Sequence, residues 1–154
     1  MNEKGGVIGN SIPRRGSLER LTGACMFSAD FRLENPLVLR AVRSPHPHAG
    51  ILNVDTAEAS RQPGVVRIFT ARDIPGKNIT GIINKDRPLL VADRVRFIGD
   101  PVALIAAETE EAAERAAGSV KVSYNVLPAV YDPADALAAG APKIHEKGLS
   151  LIHI

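Results

Sequence analysis

Six consecutive apolar residues, Val102-Ala103-Leu104-Ile105-Ala106-Ala107, stand between the turn signal Gly99-Asp100-Pro101 and a helix cap at Thr109. The run is far short of the ~20 residues that span a bilayer, and it offers no polar face to water. A strand of this kind is buried on both sides. The chain must therefore set it inside a sheet and cover that sheet. Thr109 opens the strongest helical segment, residues 110–117. Glu110 and Glu111 occupy its first turn, where the helix dipole favours anions. Ala112, Ala113 and Ala116 form a narrow small-residue stripe, with Gly118 placed to end the helix.

Other strands are read from proline punctuation and alternation. Residues 37–43 lie between Asn35-Pro36 and Ser44-Pro45, with Leu39, Ala41 and Arg43 on one face and Arg40 and Val42 on the other. Residues 50–54 form a second strand, after which Asp55 or Thr56 caps a short helix over 57–61 that Pro63-Gly64 ends. Residues 65–69 are a third strand, and Thr70 caps one turn before Pro75-Gly76. Residues 95–98 alternate weakly, Val120, Val122 and Tyr124 alternate in a last strand, and Asp132-Pro133 opens a helix over 134–138. Residues 77–94 read as a long loop or hairpin, and loops of that length are often functional or cover something. The pattern predicts an α+β fold with a mixed β-sheet and short helices.

Composition narrows the class. With 45% hydrophobic and 23% charged residues among 154, wholesale disorder is excluded and one domain is expected. A formal net charge of +2 gives no reason to expect nucleic acid as a partner. No stretch is long and apolar enough to suggest a membrane partner. Met1 to Asn10 carries Lys4 but no apolar run behind it, so it does not read as a secretory signal. Cys25 is the single cysteine, so no internal disulfide can form, and a reducing, cytoplasmic setting fits. Residues 1–20, with Gly5, Gly6, Gly9 and Gly16, read as a loose arm that Thr22-Gly23 turns off.

No catalytic constellation emerges. Gly5-Gly6-Val7-Ile8-Gly9 precedes no helix, and Gly76-Lys77 lacks the glycine and hydroxyl residue of a phosphate loop, so a turn is expected there. His46-Pro47-His48 could present two imidazoles on one face to a metal, but no further Cys or His lies near in sequence, and a hydrogen-bonded proline turn is favoured. Cys25 reads as a small core residue. Asp86, Asp93 and Asp100 read as solvated turn acids, and Arg40 with Arg43 suits either an anion site or a salt-bridged sheet face, the second being the commoner. Ile82 and Ile83 are adjacent apolar residues in a charged, glycine-containing loop. They are either tucked into local packing or docked on something else. No metal, cofactor or catalytic residue is assigned from the residues alone.

Seven segments carry a resemblance to a known family. They are Ser44-Pro45-His46-Pro47-His48-Ala49, Pro63-Gly64-Val65, Asp73-Ile74-Pro75-Gly76, Val95 through Ala103 with Gly99-Asp100-Pro101 at its centre, Ala107-Glu108-Thr109, Leu127-Pro128-Ala129-Val130 and Gly140 through His145. In order and spacing they resemble the N-terminal a/b hammerhead domain of the molybdenum hydroxylase large subunits (xanthine dehydrogenase, aldehyde oxidase and carbon monoxide dehydrogenase). The resemblance runs from about Gly9 to Glu146. It departs at Arg15-Gly16-Ser17-Leu18, where the family has Arg-x-Asp-Gly, and after His145-Glu146, where an apolar tail follows.

The resemblance implies an oxidoreductase that hydroxylates a carbon centre with oxygen from water. It implies molybdopterin, with electrons leaving through iron–sulfur clusters and optionally FAD. It also implies that neither the pterin loops nor the essential glutamate base lies in this chain, so the chain alone is expected to be inactive. Residues 1–20 are then an arm, 21–132 the hammerhead domain, and 133–154 a truncated extension toward the missing molybdopterin-binding domain. The implied partners are that domain and the iron–sulfur and FAD subunits or domains. In the family the loop after Asp-Ile-Pro-Gly reaches the substrate tunnel, so Ile82 and Ile83 are implied to line that channel. A rival reading is a non-catalytic scaffold subunit acting in trans with a separate molybdopterin subunit.

Overall fold

A computed structural model of the chain describes residues 8–82 and 85–145. The chain divides into two compact units, Met1–Asn35 and Pro36–Ile154. Its helices are α1 (Ser17–Leu21), α2 (Glu110–Ser119) and α3 (Pro133–Leu137). Its strands are β1 (Val38–Arg43), β2 (Ala49–Asp55), β3 (Val65–Thr70), β4 (Arg94–Val95), β5 (Pro101–Ala107) and β6 (Lys121–Val126). Single 3-10 turns cover Ser28–Asp30, Ala59–Arg61 and Ala71–Asp73.

The apolar run lies where its composition demands. β5 is the middle strand of a sheet ordered β1-β5-β3, antiparallel to both neighbours. Five of its residues, Val102, Ala103, Ile105, Ala106 and Ala107, are buried. The alanine stripe of α2 packs on one face of this sheet. Ala112, Ala113 and Ala116 join Ile105, Ala107 and Ala59 in one buried cluster, ringed by Val38, Val42, Val65, Ile68 and Val120. Thr109 caps α2 as expected, its Oγ1 accepting from the Ala112 N–H at 3.1 Å. Arg40 reaches Glu114 of α2 at 3.2 Å, so the salt-bridged face expected of Arg40 and Arg43 forms at Arg40 alone; Arg43 donates instead to the Gly99 carbonyl at 2.8 Å.

The second sheet is ordered β4-β2-β6, again antiparallel throughout. Ala49, Val91 and Val95 form its small core, with Ile51 and Tyr124 packed against it. The α+β class holds. Where the sequence pattern suggests one mixed sheet, the strands divide between two antiparallel ones. The division rests on the long-range pairing of β2 with β6, which local patterning does not encode. A bulge between Ile51 and Asn53 leaves Leu52 outside the ladder and largely exposed.

Several elements differ in length from their sequence reading. The strand expected over 95–98 shrinks to Arg94–Val95, because the Arg96 N–H donates to Asp100 Oδ2 at 3.0 Å instead of to a neighbouring strand. The helix expected over 57–61 is one 3-10 turn, preceded by Asp55 Oδ1 accepting from the Ala57 N–H at 2.9 Å. Helix α2 runs through Gly118 to Ser119. In the first unit, α1 forms within the stretch read as loose. Gly16 enters it with φ 77, and Thr22 closes it by donating from Oγ1 to the Leu18 carbonyl at 2.8 Å.

Gly64 is the residue that lets α2 approach the β3 entrance. Its φ is +82, and a Cβ there would sit 3.0 Å from Ala112 Cβ. Gly64→Ala is expected to destabilise the domain by about 2 kcal/mol, from the left-handed backbone and the crowding together. Urea unfolding followed by far-UV circular dichroism measures it. An unchanged midpoint would show that the contact is not tight.

Candidate functional site

The long loop between β3 and β4 is a braced projection. It begins at a turn fixed by Asp73, whose Oδ2 accepts from the Thr70 N–H at 2.8 Å and from Thr70 Oγ1 at 2.9 Å. The bond from the Thr70 backbone, chiefly, together with that from its hydroxyl and the charge of Arg67, holds the Asp73 carboxyl below the usual range. At the neck of the loop, Asn78 takes the place of a strand pair with one side chain. Its Oδ1 accepts from the N–H groups of Leu89 (2.9 Å) and Leu90 (3.1 Å), and its Nδ2 donates to the Leu90 carbonyl at 2.6 Å. Beyond this clamp, Thr80 and Arg87 form an antiparallel bridge, with N–H to O distances of 2.6 and 3.2 Å.

The tip therefore stands on two ties. Ile82 lies on it with a relative exposure of 101%, so it makes no local packing. The tucked alternative does not form at this residue. Ile83 lies outside the described residues. Gly76, with φ 111, and the exposed Lys77 form a turn before the neck, as expected.

A cavity of about 450 Å³ lies at the loop's return, lined by Asp86, Arg87, Pro88, Arg96, Phe97, Asp100 and His145. Arg87 stacks its guanidinium over the Phe97 ring at 5.1 Å. The Arg94 side chain donates to the Ile144 carbonyl at 3.0 Å, and His145 Nδ1 stands 3.6 Å from Asp86 Oδ2. Asp100 closes the floor. It is only 1% exposed, and its Oδ1 is buried without a partner among the described residues. Burial raises its pKa, against the Arg96 N–H bond and the charges of Arg96, Arg87 and His145. This corrects the reading of Asp100 as a solvated turn acid. Asp86 and Asp93 are exposed, as expected.

The two imidazoles of the histidine pair are held by different partners. His48 is buried, and its Nδ1 lies 2.6 Å from the Pro128 carbonyl oxygen; since that oxygen can only accept, Nδ1 carries the proton. The His48 carbonyl accepts from the Leu127 N–H at 3.0 Å, so one residue pins the chain after β6 twice. The His46 ring meets the Tyr124 ring edge-on at 4.8 Å, and the His46 backbone N–H donates to Ser44 Oγ at 3.0 Å. Burial raises the Tyr124 pKa. Cys25, read as a core residue, is half-buried in the first unit.

The donor set does not fit an iron–sulfur cluster, and among the described residues it does not fit a protein-ligated metal. Clusters of that kind take several thiolates, and Cys25 is the one cysteine. Among the described residues no three His, Cys, Asp or Glu side chains converge on a metal-sized site. No helix among them is long and apolar enough to cross a membrane. Sequence reasoning passed over Asn78 and misjudged Asp100. The partners of Asn78 lie 11 and 12 residues away, beyond any local motif.

Asn78→Ala is expected to cost about 2 kcal/mol, since it strands buried Leu90 backbone groups, and to speed hydrogen exchange at residues 79–88 with little change in β5. Uniform exchange across the loop in both proteins would sink the clamp. Asp100 gives a pH signature. Its folded pKa lies above the ordinary aspartate value of 3.8, so its contribution to stability is fully present below pH 3.8 and lost as pH rises through the folded value. The Tm of the parent chain minus that of Asp100→Asn should therefore fall from about pH 3 to about pH 7. A pH-independent difference would contradict the buried carboxyl.

The family model described as aldehyde oxidase and xanthine dehydrogenase, a/b hammerhead domain, matches residues 22–128. The xanthine dehydrogenase/oxidase of Mus musculus is 39% identical over 132 residues, covering 85% of this chain and 10% of that protein. The nicotinate dehydrogenase large molybdopterin subunit of Eubacterium barkeri is 36% identical over 139 residues, covering 90% of this chain and 33% of that one. The crystal structure of the aldehyde oxidoreductase from Desulfovibrio desulfuricans superimposes with a TM-score of 0.84 at 34% identity, covering 96% of this chain and 18% of that one. The chain thus spans a third or less of each of these relatives. With the match extending across both sheets and the braced loop, the chain belongs to the aldehyde oxidase and xanthine dehydrogenase family, as an a/b hammerhead domain.

Proposed function

We propose that the chain is the hammerhead part of the large subunit of a molybdopterin-dependent hydroxylase, an oxidoreductase of the cytoplasm. It works beside a molybdopterin-binding domain and iron–sulfur and FAD-bearing partners. Its own side chains hold none of these groups, and by itself it is inactive. Its role is mechanical and steric: it braces the cofactor domain, with residues 133–154 as the extension toward it, and it walls the substrate channel. The observation that carries this reading is the loop clamped by Asn78. Two ties hold an apolar residue, Ile82, fully into solvent, an arrangement that costs apolar exposure and suits a surface completed by other polypeptide. Ile82, with Ile83 beside it, forms the channel wall.

The test is made on the assembly that contains this chain, isolated through a tag on its chromosomal gene. Molybdenum and pterin are measured in it, and hydroxylation of a panel of purines, aldehydes and N-heterocycles is followed with an artificial electron acceptor. Molybdenum should co-purify, and Ile82→Glu should raise KM about tenfold, the loss of roughly 1.5 kcal/mol of apolar contact, with metal content unchanged. An assembly without molybdenum would end the functional reading. Unaltered kinetics in Ile82→Glu would end the channel-wall role.

A further inference from the structure

The first unit has an ordered backbone and no interior. No side chain among residues 8–35 is buried, and Gly16, Ser17 and Cys25 alone are half-buried. Leu18, Leu21, Met26, Phe27, Phe31 and Leu33 are each at least 56% exposed. Helix α1 has five residues, far fewer than an isolated helix needs in water. Yet the backbone is bonded in specific ways. The Cys25 N–H donates to the Glu19 carbonyl at 2.8 Å, and the Phe27 N–H donates to Asp30 Oδ2 at 2.7 Å. Order of this kind costs chain entropy that only burial can offset, and a run of exposed large apolar side chains marks an interaction surface.

We propose that residues 8–35 are a docking arm whose apolar side chains seat on an apolar surface of the large-subunit polypeptide lying outside this chain. The proposal rests on the functional reading above and adds a contact surface to it. The superposition on the Desulfovibrio desulfuricans enzyme supports this occupant. It takes in 96% of this chain, so it includes most of residues 1–35, while this chain accounts for only 18% of that polypeptide. The arm thus has a counterpart in a crystal structure where most of the polypeptide lies outside the match.

Hydrogen exchange with mass spectrometry tests it, comparing the tagged assembly with the isolated 154-residue chain at two concentrations. Amides of residues 17–33 should exchange on the order of 100-fold more slowly in the assembly than in the isolated chain. The double variant Phe27→Asp/Phe31→Asp should lose that protection, while β5 amides, the internal reference, keep theirs. Equally fast exchange in both samples overturns the proposal. So does protection in the isolated chain, whether independent of concentration, which would mean the chain covers its own arm, or growing with it, which would mean a second copy does. Molybdenum content in the same assembly is read separately, so its absence would remove the functional reading and leave the arm's protection to be judged by itself.

Discussion

Helix α2 lies against β5 through methyl groups, and that close approach sets the geometry of the larger unit. Ala112, Ala113 and Ala116 contribute little each, about 0.8 kcal/mol per buried carbon. Their value is thickness: they let the helix sit near enough for Val38, Val42, Val65 and Ile68 to close around the seam. Such a seam tolerates added volume poorly, because neighbouring atoms have nowhere to go. Gly64 meets the same constraint from the strand side, where its missing side chain leaves room for Ala112.

From that seam the strand order carries the rigidity outward. Leaving β3, the chain meets the Asp73 turn, then the Asn78 neck, then the Thr80–Arg87 bridge, each fixed by side-chain or backbone hydrogen bonds and not by a core. Entering β5, it passes the buried Asp100. The loop and the floor of its cavity are therefore anchored to strands that are themselves neighbours. Precision at an exposed tip follows from its attachment, even though the tip buries nothing.

What could be read from the residues followed the range of each signal. The six-residue apolar run, the Thr109 cap and the alanine stripe are local, and β5 and α2 appear where they were expected. The proline turn at Ser44–His48 was legible as rigid, but its anchor, the Pro128 carbonyl, lies 80 residues away and was not. Asn78 is equally silent in sequence, since an asparagine in a loop is ordinary until its partners are in place. Asp100 misled because Gly-Asp-Pro is a common exposed turn, and here the turn folds inward to end β4. The seven matched segments made the family legible before any of these contacts, though they carry nothing about why Asn78 or Asp100 is there.

The shortness of β4 reaches beyond the cavity it borders. Because Asp100 claims the Arg96 N–H, the outermost strand of the second sheet stops after two residues. An abbreviated rim of this kind has almost no free ladder with which to recruit a stranger's backbone. On that flank the sheet is guarded from runaway pairing by a single aspartate, which commits one carboxylate oxygen to the guard and leaves the other without a partner among the described residues.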